Sequence, residues 1–182
     1  MVDVDSRLCS ATYPCSVYSA FTIPYPFERG QAPMAISEDE VLALMNRFHE
    51  VGMIAKGDAA AQAVFFLHPE PRVHVPHGED LSLQTNYEIH QRLTDEVHIP
   101  LKPWTISQLC DDPERARAVG AVYWQGRVVG TPEGALIKVI VGEDWIVQRT
   151  PEGQLKIALY INPYHYFLPD SAPFELGVTA SR

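Results

Sequence analysis

Positive charge is scarce in this chain: 14 Lys and Arg stand against 23 Asp and Glu, a formal net charge of -9. A surface of that sign repels phosphate backbones and anionic lipid, so no nucleic acid and no membrane is expected as a partner. Cysteine is scarcer still. Cys9, Cys15 and Cys110 are the only 3, they cannot all pair within one chain, and no CxxC pair or His-Cys cluster accompanies them. That usage predicts a reduced, cytoplasmic protein. Long apolar runs are missing as well, since no segment approaches the roughly 20 residues needed to cross a bilayer. The N-terminus carries Asp3, Asp5 and Arg7 and only a broken apolar patch from Val17 to Phe21, which is not the pattern of a secretory signal. The expectation is a protein neither exported nor membrane-spanning. Nucleotide and hydrolase signatures are absent too: there is no GxGxxG, no GxxxxGK, no GxSxG elbow and no paired-carboxylate motif. No cofactor is therefore expected.

What remains is an ordinary globular composition. The chain has 182 residues, 46% of them apolar and 20% charged, enough for one domain with a sizeable core. Residues 1 to 34 hold Pro14, Pro24, Pro26 and Pro33 among scattered aromatics and show neither a helical nor a strand period. They read as an extended arm with two open roles: a dispensable extension ahead of Met34, or an arm packed across a neighbouring subunit.

From Ser37 the signals sharpen. Ser37 with Glu40 forms a capping box, and Val41, Leu44, Met45, Phe48 and Val51 follow at helical spacing. Gly57 and Asp58 break that helix, and Asp58 caps a second, alanine-rich one through Ala59 to Phe66. Arg72 to His77 alternates as a strand and Leu81 to Gln84 returns antiparallel. A third helix is expected from about Thr85 to Val97, burying Ile89, Leu93 and Val97. Four long strands rich in Val, Ile, Tyr and Trp then follow: Leu101 to Cys110, Ala116 to Val129, Ala135 to Arg149 and Leu155 to Phe167. Turn-forming Asp, Pro and Gly residues separate them, which predicts an antiparallel meander. The order describes an α+β domain over residues 35 to 170, a cone-shaped curved antiparallel sheet wrapped around a three-helix layer, with 171 to 182 as a C-terminal tail.

Histidine is the one chemically suggestive residue type, with 7 in the chain and five of them between His68 and His98. An imidazole exchanges protons near neutral pH, and one oriented by a carboxylate serves as a general acid or base. His77 stands at the end of the first strand, on the face of Val73 and Val75. His90 lies one residue off the apolar stripe of the third helix, and Asp95 is a nearby carboxylate. These three are the catalytic candidates. Any one of them reads equally well as a hydrogen-bonded structural histidine or a surface charge. His77, His90 and His98 do not have the spacing of a recognised metal site, so no metal is expected. Among the sheet aromatics, Trp104, Tyr123, Trp145 and Tyr160 are candidates to line a pocket for a planar or polycyclic ligand, and Asn162 shares a face with Tyr160 and Tyr164. Tyr123 and Trp124 must face opposite ways on a regular strand.

This order of elements, with the stretch Glu143-Asp144-Trp145-Ile146-Val147-Gln148-Arg149-Thr150-Pro151-Glu152-Gly153-Gln154-Leu155-Lys156-Ile157, resembles the nuclear transport factor 2-like superfamily. That group includes SnoaL-type polyketide cyclases, ketosteroid isomerase and scytalone dehydratase. The resemblance covers residues 35 to 168 and implies a deep, mostly apolar pocket inside the curled sheet. It sets the isomerase's helix-borne tyrosine at Phe48 and its general-base aspartate at Val75, neither of which can do that chemistry, so both become substrate-contacting candidates. The second acid falls at Asp144 or Trp145. The resemblance thus implies a cofactor-independent lyase or isomerase acting on a small hydrophobic molecule through histidine. The alternative is a non-catalytic ligand-binding or assembly module. Epoxide or ester hydrolysis would need Asp95 or Asp144 in the pocket. A homodimer joined through the sheet is expected, as is common in that group.

Overall fold

The computed structural model describes residues 35–76, 79–109 and 111–174; the N-terminal arm, His77, Cys110 and most of the expected tail lie outside these described residues. Helix α1 (Glu38–His49) starts where its capping box requires, with Ser37 Oγ accepting from the Glu40 amide at 3.3 Å and Glu40 Oε2 accepting from the Ser37 amide at 3.0 Å. Its last turn widens into a π-helical segment (Glu50–Ile54). Asp58 caps α2 (Ala59–Ala63) through the Ala61 amide at 2.9 Å. This helix ends three residues earlier than expected, because the backbone of Phe65 and Leu67 bonds instead to Ile157 at 2.8 and 2.9 Å.

Strands β1 (Arg72–Val75) and β2 (Glu79–Ser82) pair antiparallel, and Ser82 caps α3 (Leu83–Gln91). The expected extension of α3 to Val97 is not observed. Leu93 and Val97 belong to β3 (Leu93–Leu109), whose β-branched run pairs with β4 (Asp112–Val128). Sheet pairing satisfies that backbone at full length, which a short helical continuation could not. β5 (Ile137–Arg149) follows. The single long last strand that was expected is two, β6 (Leu155–Ile161) and β7 (His165–Phe167), interrupted at Pro163, which has no amide hydrogen to give a ladder. Both pair with β5, β6 along residues 144 to 149 and β7 along 139 to 141.

The sheet has 7 strands in the order β2-β1-β6-β5-β4-β3, with β7 beside β5. It is mixed rather than wholly antiparallel, because β1 runs parallel to β6. The α+β architecture with helices packed on one face of a curved sheet is otherwise the expected one. α1 supplies Val41, Leu44, Met45 and Phe48, all 0 or 1% exposed. The Phe48 ring meets Trp145 and Tyr160 edge-on, at 6.0 and 5.7 Å between centroids.

Two irregularities in β3 shape the inner face. Between Thr94 and Val97 the register with β4 slips so that Asp95 and Glu96 together oppose Gly126, and Asp95 takes a φ of 57°. Further along, a second slip between Leu101 and Thr105 folds Trp104 over Gly120, where a Cβ would lie 2.3 Å from the indole.

Candidate functional site

A cavity of about 100 Å³ lies between α3 and the sheet, walled mainly by Val73, Val75, Val122, Val139 and Val141. His90 and Asn86 enter it from α3, His98 from β3, Glu143 from β5, and Tyr160 and Asn162 from the end of β6. Each arrives by a local rule. Inward positions on β5 are the odd residues, so Glu143 shares a face with Val141 and Trp145 while Asp144 points outward. The β3 bulge reverses the alternation: Asp95 turns out to the Arg127 guanidinium at 2.7 Å, and Glu96 turns in.

Glu96 is the carboxylate that meets His90, with its Oε1 2.6 Å from the imidazole Nδ1, and its other oxygen holds the Lys56 ammonium. Its side chain is 2% exposed. An ionised carboxylate can only accept, so Nδ1 carries the hydrogen and Nε2 keeps its lone pair. Burial pushes His90 down to about 3, and the charges of Lys56 and His49 act the same way. The Glu96 carboxylate acts in the opposite sense. Desolvation dominates in a site this dry, so the resting imidazole is neutral.

Glu143 is 1% exposed and is built into a donor cluster: Trp145 Nε1 donates to Oε2 at 2.6 Å and the Tyr160 hydroxyl to Oε1 at 3.3 Å. Asn162 adds a side-chain hydrogen bond. Asn162 is itself fixed by its amide on the His74 carbonyl at 2.7 Å and its Nδ2 on the Gly142 carbonyl at 3.2 Å. Burial raises the Glu143 carboxyl to about 8 even though these hydrogen bonds pull it down. It is a protonated acid at neutral pH. Burial also raises the Tyr160 phenol, with Glu143 adding to the effect.

A third polar feature is the pair His49 and His98, whose rings lie 4.1 Å apart and tilted by 33°. Among the described residues none of their four ring nitrogens finds a hydrogen-bond partner. Burial lowers His49 to about 3, and burial followed by His49 lowers His98 well below its ordinary value.

A larger, solvent-open groove of about 940 Å³ runs between α1 and the β5–β6 hairpin. Its Arg149 is already paired with Glu40 and Glu114 at 2.9 and 3.1 Å, and it contains no deeply buried acid or base. The smaller cavity is where titratable groups are displaced furthest from their ordinary values, and it is the candidate site.

Of the sequence candidates, His90, Val75, Tyr160 and Asn162 meet around this cavity. Trp145 reaches it through its bond to Glu143, and Phe48 stays behind in the aromatic core. Three more candidates lie away from the cavity. Asp95 is on the surface with Arg127, Tyr123 points to the outer face with its hydroxyl on Gln125 at 2.9 Å, and Trp104 covers Gly120. His77 lies outside the described residues. Tyr164 does not join Tyr160 and Asn162; it is 48% exposed and covers Gly142. Asp144 pairs with Arg117 at 2.5 Å and Asp95 faces solvent, so among the described residues no aspartate lines the cavity. Sequence reasoning missed Glu96, Glu143 and His49. Period-2 alternation from Trp145 leads to Glu143, and His49, four residues after Met45, continues the buried face of α1.

No family model matches the chain, and no curated protein matches it in sequence. Solved structures do match. A nuclear transport factor 2-like protein of unknown function from Prochlorococcus is 14% identical with a TM-score of 0.56, over 72% of this chain and 94% of that one. A protein provisionally named a scytalone dehydratase, from Novosphingobium aromaticivorans, is 12% identical with a TM-score of 0.56, over 74% and 91%. A nuclear transport factor 2-like protein from Cytophaga hutchinsonii is 11% identical at 0.51, over 70% and 98%. The chain has the nuclear transport factor 2-like fold. Fold alone leaves the reaction to the cavity's own residues.

Proposed function

We propose that the protein is a cofactor-independent lyase or isomerase that moves a proton within a small, uncharged substrate, with His90 as general base and Glu143 as the acid facing it. One observation carries this: both groups line the same apolar cavity, and burial drives them apart, leaving the imidazole neutral and the carboxyl protonated. His90 Nε2 takes a proton from carbon beside a carbonyl, and Glu96 steadies the imidazolium that forms. Negative charge develops on the carbonyl oxygen, where the Glu143 hydroxyl donates to it. Trp145 donates to Oε2 over the shorter distance, 2.6 Å against 3.3 Å from the Tyr160 hydroxyl to Oε1, so the acidic hydrogen is assigned to Oε1, whose oxygen still accepts the longer bond. Return of the proton to another carbon is an isomerisation; its transfer to a departing hydroxide is a dehydration. The provisional name of the Novosphingobium neighbour denotes a dehydration, which is the same class.

The test is hydrogen–deuterium exchange at the α-carbon of cyclopentanone in D2O, followed by proton NMR. The protein is expected to accelerate exchange, and His90→Gln to lower the rate by about 10²- to 10⁴-fold. If cyclopentanone binds but does not exchange, the non-catalytic ligand-binding reading replaces this one.

The same proposal includes a homodimer and a cytoplasmic location, the latter on a sequence with 3 cysteines, which cannot all pair within one chain. Among the described residues, no helix is long and apolar enough to cross a membrane. The outer face of the sheet supports the dimer: Ile99, Tyr123, Ile140 and Tyr166 form one cross-strand row, with Ile99 49% and Tyr166 59% exposed.

A further inference from the structure

His98 presents the cavity with an imidazole whose two nitrogens are buried and unbonded. Leaving such a group without a partner is costly, and the protein could have avoided the cost with an apolar residue. The ring is also held in place, because His49 stacks on it from α1. A rigid, desolvated and unsatisfied group that lines a cavity is a group waiting for something inside that cavity.

We infer that His98 is a ligand subsite for a neutral hydroxyl group, so that the molecule this cavity accepts is a compact, uncharged hydroxycarbonyl compound. The hydroxyl half stands on His98 alone; the carbonyl half rests on the proposed role of Glu143. Charge argues for neutrality. Among the described residues lining the cavity none is Lys or Arg, and burial holds His90 and His98 in their neutral forms, so a carboxylate or phosphate finds no counter-charge. A hydroxyl both donates and accepts, and so satisfies a neutral imidazole in either tautomer. Size sets the rest. About 100 Å³ is less than the roughly 150 Å³ cavity that accommodates benzene in another protein, so the buried end of the ligand has no more than about six heavy atoms.

The experiment uses the full chain with ¹⁵N-labelled histidine and follows the imidazole nitrogens by NMR while hydroxyacetone, acetone or pyruvate is added. Hydroxyacetone is expected to move the His98 nitrogens and to bind roughly three- to tenfold more tightly than acetone, an advantage that His98→Phe abolishes. Should that variant fail to fold, the His98 shifts in the unaltered protein decide. Still nitrogens, or equal binding of hydroxyacetone and acetone, would mean that water alone fills the corner and would overturn the subsite. Tighter binding of pyruvate would overturn the neutral class. The acid–base reading fails by a different sign, the absence of deuterium exchange, while the His98 shifts report the subsite independently.

Discussion

A carboxyl buried as deeply as Glu143 keeps its proton, because the alternative is an anion in an apolar wall. The consequence for stability has a definite sign. From its ordinary 4.5 up to about 8 the folded protein holds this proton and the unfolded chain does not, so Glu143 lowers stability as pH rises through that window. Glu143→Gln keeps the shape and an acceptor for Trp145 but has nothing to ionise. Melting temperatures from pH 6.5 to 8.5 should fall in the unaltered protein and stay level in the variant. Equal slopes would mean that Glu143 is ionised in the fold and cannot be the acid. His90 shows the complementary case, in which a carboxylate named by proximity in sequence, Asp95, gives way to its neighbour Glu96 because a bulge decides which of the two turns inward.

That bulge is the element on which the site depends. Asp95 occupies a left-handed conformation, which Asp tolerates better than a β-branched residue does, and Glu96 is carried inward as a result. Asp95→Gly removes the side chain while easing the backbone, and what is lost is the exposed pair with Arg127 and a long bond from the Thr94 hydroxyl; it should change stability by less than about 1 kcal/mol. Asp95→Val should cost about 1–3 kcal/mol in urea denaturation and slow the cyclopentanone exchange with it. If valine proves harmless, the bulge is not what holds Glu96. The break between β6 and β7 has a similar local effect. It lets Asn162 leave the ladder and tie the end of β6 both to β1 and to Gly142, beside Glu143.

For the molecule as a whole, buried imidazoles dominate the acid side. His49 and His90 titrate near 3 in the fold against 6.5 unfolded, and His98 is lowered with them. Between those limits the unfolded chain binds protons that the native state refuses, so stability falls as pH drops below 6.5, by about 1 kcal/mol per pH unit for each group. Three imidazoles outweigh the single opposing carboxyl, and thermal stability should peak near pH 6.5. His49→Leu should flatten the acid side; an unchanged slope would remove His49 from this account. On the outer face, Tyr166→Arg should convert a dimer to a monomer in light scattering, whereas a monomeric unaltered protein would remove the sheet-face assembly.

Local chemistry made much of this legible in advance. Ser37 with Glu40, Asp58, and the turn-separated β-branched runs specify helix starts and strands by rules that operate within a few residues; the two capped helices start where the sequence sets them, and the β-branched runs all become strands, though with other ends. His90 was legible as a candidate because one residue type and one helical period sufficed. The tertiary structure alone decided the rest. Whether 93 to 97 is helix or strand depends on a partner strand thirty residues away; whether Asp95 or Glu96 faces inward depends on a register slip against Gly126; and whether Glu143 is an acid depends on how completely other elements exclude water from it. Pairing, bulging and desolvation are long-range effects, set by what is packed against a residue rather than by its neighbours along the chain.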